Sequence, residues 1–219
     1  MARTRVKICG ITRLADGIAA AREGADAIGF VFWAGTPRRV AAPVAQAIAR
    51  ALPPYVSTVG LFVDPDPAEV REVLAVVPLD LLQFHGNEPP ELCRSFARPY
   101  VKAVAVGEQV AKDGLLEYAT RYNDAAAWLF DAPPTGGLPG GTGRTFEWAA
   151  LPGGLERPVV LSGGLNAGNV GAAVRRVRPW AVDVSSGVET LGDDGRPVKG
   201  IKDPARIRVF IEEVRNADD

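Results

Sequence analysis

A parallel, eight-stranded (β/α)8 barrel, one domain over residues 1–219, is the fold this sequence predicts, and three observations predict it. Short β-like runs alternate with helix-like segments from end to end. Several of the runs are apolar nearly throughout, as parallel strands covered on both sides must be. Eight strand–helix pairs in 219 residues average about 27 residues each, close to the minimum for a βαβ repeat. Strict alternation implies a parallel sheet, and eight units imply closure. The alternative, a doubly wound open sheet, is disfavoured because no G-x-G-x-x-G follows the first strand or any other.

In chain order, strands are expected at residues 6–8, 27–32, 57–62, 81–84, 101–105, 127–130, 159–161 and 181–184. Helices are expected between them at 12–23, 44–51, 67–76, 89–97, 108–121, 166–177 and 204–214. Three of these begin on recognisable caps: Asp66 before Pro67, Asn166 ahead of its helix, and Asp203 before Pro204. The sixth crossover is the least regular, with one short helix around 146–151. No Pro/Gly/Ser linker splits the chain. The glycine-rich run at 135–143 follows a strand end directly, where a barrel places a functional loop.

Composition excludes several functions. The chain holds 25 basic against 26 acidic side chains, a net charge of −1, so there is no broad positive field for nucleic acid. Two cysteines, Cys9 and Cys93, are too few for a disulfide framework or a cysteine-rich zinc site, and the sole histidine, His85, removes most histidine-based metal sites. The N-terminal charges lead straight into a strand, without the apolar core of a signal segment. No apolar stretch reaches the roughly 18 residues of a membrane span. The expectation is a soluble, reduced, cytoplasmic protein.

In a barrel the residues just past each strand converge on one mouth. Here these are Cys9, residues 33–39, Asp64, His85, Asp131, the triplet Ser162-Gly163-Gly164 and the triplet Ser185-Ser186-Gly187. Cys9 reads either as a small packed residue or as a thiolate base or nucleophile. An unperturbed thiol is only a few per cent ionised at neutral pH, so a working Cys9 needs positive potential nearby. Asp131 is either a turn residue or a carboxyl group facing Cys9 across the mouth, the pairing that proton transfer uses. At least one of Arg38 and Arg39 is solvated; the other can clamp a carboxylate. His85 is a structural hydrogen-bonder or a substrate contact. The two small-residue loops after strands seven and eight make an anion nest, the usual barrel phosphate site. The glycine run only superficially suggests a nucleotide loop, because Leu138 stands where its first glycine belongs and Arg144 where its lysine belongs. It fits a mobile cover instead.

Together the segments KICGIT (7–12), GADAIGFVF (24–32), PRR (37–39), LLQFHGNEPPELC (81–93), LFD (129–131), GGTGRTFEW (140–148), LSGGLNAGNV (161–170), RPWAVDVSSGVE (178–189) and GIKD (200–203) closely resemble the phosphoribosylanthranilate isomerase family, the tryptophan-pathway TIM barrels. The resemblance is collinear over nearly the whole chain. It implies a cofactor-free Amadori rearrangement of an aminoaldose to an aminoketose. By resemblance, Asp131 is the general acid that opens the ribose ring and Cys9 the general base that removes the C2′ proton. Arg38 binds the anthranilate carboxylate, Gln83, His85 and Asp183 line the substrate pocket, and Gly163, Gly164, Ser186 and Gly187 belong to the phosphate site. The partner is a phosphorylated small molecule, with a monomer favoured, no membrane and no metal. Departures from the family pattern are a longer segment at 131–140 and an expanded, charged loop at 190–199. Two other functions compete. The histidine-pathway sister isomerase uses aspartate where Cys9 stands, and a non-catalytic phospho-ligand barrel has no reason to keep Cys9, Asp131 and Arg38.

Overall fold

The structure is a computed structural model that describes residues 3–107, 112–133, 143 and 145–218. Eight strands close in sequential order: β1 (Arg5–Cys9), β2 (Ala27–Val31), β3 (Ser57–Phe62), β4 (Leu81–Phe84), β5 (Tyr100–Ala105), β6 (Ala127–Asp131), β7 (Val159–Leu161) and β8 (Ala181–Val184). Every neighbouring pair is parallel, and β1 completes the ring against β8 with Arg5 beside Ala181 and Ile8 beside Val184. Strands β3, β4, β7 and β8 have the bounds expected from the sequence, β2, β5 and β6 differ by one residue at one end, and β1 is one residue longer at both ends.

Side chains alternate between the two faces of each strand. The outward set, including Ile8, Ile28, Phe30, Phe62, Phe84, Trp128 and Phe130, forms the main core against the helices. Inside the ring a smaller apolar floor of Val101, Ala103, Ala127, Leu129 and Val160 fills the lower barrel. Burying one such large side chain is worth about 1.5–3 kcal/mol.

The helices are α1 (Leu14–Glu23), α2 (Ala42–Ala51), α3 (Pro67–Val76), α4 (Pro90–Arg94), α5 (Lys112–Thr120), α6 (Val170–Val177) and α7 (Pro204–Asp218). Asp66 caps α3 by accepting from the Ala68 N–H at 2.7 Å. Asp203 caps α7 from the Ala205 N–H at 2.8 Å. Asn166 does something different. Its Oδ1 accepts from Gly168 while its own N–H is held by Asn169 Oδ1, so it builds a turn, and α6 starts four residues later. Helix α4 is shorter than the expected 89–97, because the Ser95 hydroxyl donates back to the Leu92 carbonyl and Ala97 is left-handed. Among the described residues of the sixth crossover the one helical element is a 3-10 turn, Trp148–Ala150. Residues 108–111 of the expected fifth helix, and the glycine-rich cover apart from Gly143, lie outside the described residues.

The expanded loop at 190–199 is a two-stranded antiparallel hairpin, β9 (Glu189–Leu191) with β10 (Pro197–Lys202). Its turn contains Asp194 and a left-handed Gly195. The hairpin is fastened to the β1–α1 connection. The Thr12 hydroxyl donates to the Gly200 carbonyl at 2.6 Å, and the Lys202 N–H donates to Asp16 at 3.0 Å.

Candidate active site

The inner face of β1 presents Lys7 and Cys9. Beside Cys9 in the register stands Gly29 of β2. A β-carbon on Gly29 would lie 2.9 Å from the Cys9 sulfur and 3.0 Å from the Lys7 Cε. The thiol and the lysine stem therefore occupy space that exists only because residue 29 has no side chain. Cys9 packs with Val31 and Leu61 at the top of the barrel interior.

Below the mouth a line of buried polar side chains crosses the barrel. Lys7 Nζ donates to Asp183 Oδ2 on β8 at 2.8 Å and to Gln83 Oε1 on β4 at 2.7 Å. Gln83 Nε2 lies 3.0 Å from His85 Nδ1, and His85 Nε2 lies 3.1 Å from Asp131 Oδ2 at the end of β6. The other Asp131 oxygen accepts from the Ala132 N–H at 2.7 Å. Asp183 Oδ1 has no hydrogen-bond partner among the described residues.

Burial sets the electrostatics here. It pushes the Cys9 thiol above its ordinary value, with Lys7 pulling the other way and Asp183 adding to the rise. Burial also works against the Lys7 charge, but Asp183, joined by Cys9 when it is ionised, more than offsets it, and Lys7 titrates above the ordinary lysine value. In the resting site Cys9 is thus a neutral thiol next to a firmly cationic lysine.

Across the mouth, Arg38 and the hairpin form a second cluster. Arg38 Nε and Nη2 donate to the two Glu189 oxygens at 2.7 and 2.8 Å, and Lys202 Nζ donates to the same carboxylate at 3.2 Å. Burial alone would raise the Glu189 pKa, yet Arg38 and Lys202 hold it below the ordinary carboxylate value. Two basic groups thus share one carboxylate at this wall.

The loops after β7 and β8 complete the site. Gly163 and Gly164 are both left-handed, with φ of 87° and 60°. A β-carbon on Gly163 would come within 3.1 Å of Asp131 Oδ1, so this glycine lets the loop lie against the carboxyl. The Gly164 carbonyl accepts from Asn169 Nδ2 at 3.0 Å, which fastens the loop to the start of α6.

One cavity is lined by Cys9, Arg38, His85, Asp131, Asp183, Gly163, Gly164 and Ser186 together. Two expected site residues stand apart from it. Gln83 lies beneath the lining, behind His85, and Gly187 packs against the Leu165 carbonyl. Reading the sequence alone passed over Lys7, Glu189 and Lys202. Lys7 carried a signal, since it sits two residues before Cys9 and must share its face. No three His, Cys, Asp or Glu side chains gather around a metal-sized space among the described residues.

Fold and cavity together place the molecule among (β/α)8-barrel enzymes that act on small anionic molecules at the C-terminal mouth. The family model for N-(5'phosphoribosyl)anthranilate (PRA) isomerase matches residues 6–213, and the chain belongs to that family. It is 56% identical over 211 residues to the N-(5'-phosphoribosyl)anthranilate isomerase of Alcanivorax borkumensis, covering 96% of this chain and 95% of that one. It is 49% identical over 217 residues to the enzyme of the same name from Pseudomonas fluorescens, covering 99% and 98%. Among solved structures, the phosphoribosyl anthranilate isomerase of Thermotoga maritima superposes with a TM-score of 0.82 at 38% identity, over 97% of this chain and 99% of that one. A phosphoribosyl anthranilate isomerase in complex with reduced 1-(o-carboxyphenylamino)-1-deoxyribulose 5-phosphate superposes with a TM-score of 0.79 at 37% identity, over the same shares.

Proposed function

We infer that the cavity converts N-(5′-phosphoribosyl)anthranilate into 1-(2-carboxyphenylamino)-1-deoxyribulose 5-phosphate, with Asp131 as general acid and Cys9 as general base. The observation that carries these roles is that a thiol from β1 and a carboxyl from β6 line one cavity together with the left-handed glycine pair after β7. The phosphate of the substrate binds at Gly163, Gly164 and Ser186, with Gly187 supporting the Ser186 turn. The anthranilate carboxylate lies toward Arg38, whose guanidinium is held in orientation by Glu189. Binding these two remote anionic ends fixes the sugar between acid and base.

The electrostatics set the order of steps. Asp131 protonates the ring oxygen, and the furanose opens to a cationic Schiff base. That cation acidifies the C2′ proton and adds positive charge beside a thiol that burial keeps neutral in the resting site. Together with Lys7 it favours release of the Cys9 thiol proton to solvent at the open mouth, and the thiolate so formed takes the C2′ proton. The resulting enolamine tautomerises to the ketone. Asp183 lines the cavity from β8, beside the sugar.

The test is an assay with freshly generated phosphoribosylanthranilate, followed by the loss of its fluorescence. Wild-type protein should turn it over. Asp131→Asn should lower turnover at least about a hundredfold, the scale of lost general acid catalysis, with a much smaller change in KM. An Asp131→Asn protein with near-normal turnover would remove the acid from this account.

A further inference from the structure

The polar line beneath the cavity fixes the place of one proton. The Lys7 ammonium only donates, so the Gln83 atom 2.7 Å away must be the amide oxygen. The other end of that amide, Nε2, also only donates, and it faces His85 Nδ1 at 3.0 Å. An imidazole nitrogen that accepts a hydrogen bond carries no proton, so the ring proton belongs on Nε2, which lies 3.1 Å from Asp131 Oδ2.

We propose that Lys7 and Gln83 are positioning residues that lock His85 in its Nε2–H tautomer, making it a hydrogen-bond donor to Asp131. A proton on Nδ1, in the other tautomer or in the doubly protonated ring, would meet the Gln83 NH2 group donor to donor. Flipping the amide to relieve that clash would turn the NH2 group onto the Lys7 ammonium instead. Asp183 holds the far end of the chain by accepting from the same ammonium at 2.8 Å. All of these side chains are buried, so water cannot readily substitute for a mismatched partner.

The consequence for catalysis rests on the reading of Asp131 as the acid. As Asp131 gives up its proton, negative charge grows on the carboxylate. The His85 N–H and the Ala132 N–H are already directed at its two oxygens. Donors aligned before the reaction stabilise that charge without reorganising during the step. In this role Lys7 and Gln83 act through His85 and take no proton from substrate.

Since the chain holds a single histidine, ring-nitrogen NMR of protein labelled with 15N-histidine reports on this site alone. The wild-type protein should show the neutral Nε2–H pattern. Gln83→Glu replaces the donor facing Nδ1 with an acceptor and should put a proton on Nδ1, in the folded protein as judged by its circular dichroism. Turnover should then fall at least about tenfold, with KM changing several times less, the signature of a group that acts through the acid. A wild-type ring protonated on Nδ1 would overturn the proposal, and so would a Gln83→Glu ring with the wild-type pattern. The acid role of Asp131 fails separately, through Asp131→Asn turnover, and the ring pattern does not depend on it.

Discussion

Two lysine–carboxylate pairs are buried in this barrel at the same 2.8 Å separation, Lys7–Asp183 and Lys102–Glu88, and they do different work. The difference begins with strand alternation. Lys7 shares the inward face of β1 with Cys9, whereas Lys102 lies between Val101 and Ala103 of the interior floor and so points outward from β5. Outside the ring every bond is closed. Glu88 accepts from the Asp64 and Gly86 N–H groups as well as from Lys102, and Lys102 also donates to the Gly86 carbonyl at 2.5 Å. That pair holds the loop after β4 in shape. Inside the ring the pair is incomplete, for Asp183 Oδ1 lacks a partner among the described residues and Lys7 also faces Gln83 and Cys9. A satisfied buried ion pair is scaffold. One short of a partner beside a cavity is available for chemistry.

This contrast can be broken by removing each lysine. Lys102→Met leaves Glu88 buried and unpaired and should cost about 3–5 kcal/mol in urea unfolding. Lys7→Met should cost less, under about 2 kcal/mol, because Asp183 lines the cavity and the shorter methionine opens the freed Oδ2 toward it. Turnover should follow the opposite order, with Lys7→Met losing at least about a hundredfold and folded Lys102→Met far less. Equal stability losses would erase the distinction.

A smaller effect sharpens it. Burial raises the Cys9 pKa above the ordinary thiol value and Lys7 lowers it, so Lys7→Met should raise it further. Since the thiolate is the reactive form, the midpoint of Cys9 alkylation, followed by mass spectrometry against pH, should lie above that of an ordinary thiol in the wild-type protein and higher still in Lys7→Met. Lys102→Met should leave it in place. Cys93, pushed up to about 12 by burial, should keep its own alkylation midpoint in Lys7→Met.

The strands were legible because parallel strands buried on both sides are apolar runs, and Cys9 and Asp131 were legible because each ends such a run. The hairpin β9–β10 was hidden by its charged residues, although Asp194-Gly195 is a known hairpin turn pair. The Arg38–Glu189 pair joins positions 151 residues apart, and the Lys7–Gln83 bond crosses the barrel interior from β1 to β4. Such contacts depend on ring closure and strand register, which local patterning does not encode. Asn166 shows a subtler limit. A capping residue type in the right place can satisfy a turn just as well as a helix start.

The account stands on Cys9 as the base that removes the C2′ proton. The direct measurement is turnover of Cys9→Ser with substrate carrying deuterium at C2′, beside wild type. Serine is a far weaker base, so turnover should fall at least about a hundredfold and proton removal should become rate-limiting. The isotope effect should then exceed that of wild type. Near-wild-type turnover, or a slowed reaction indifferent to the deuterium, would contradict the assignment.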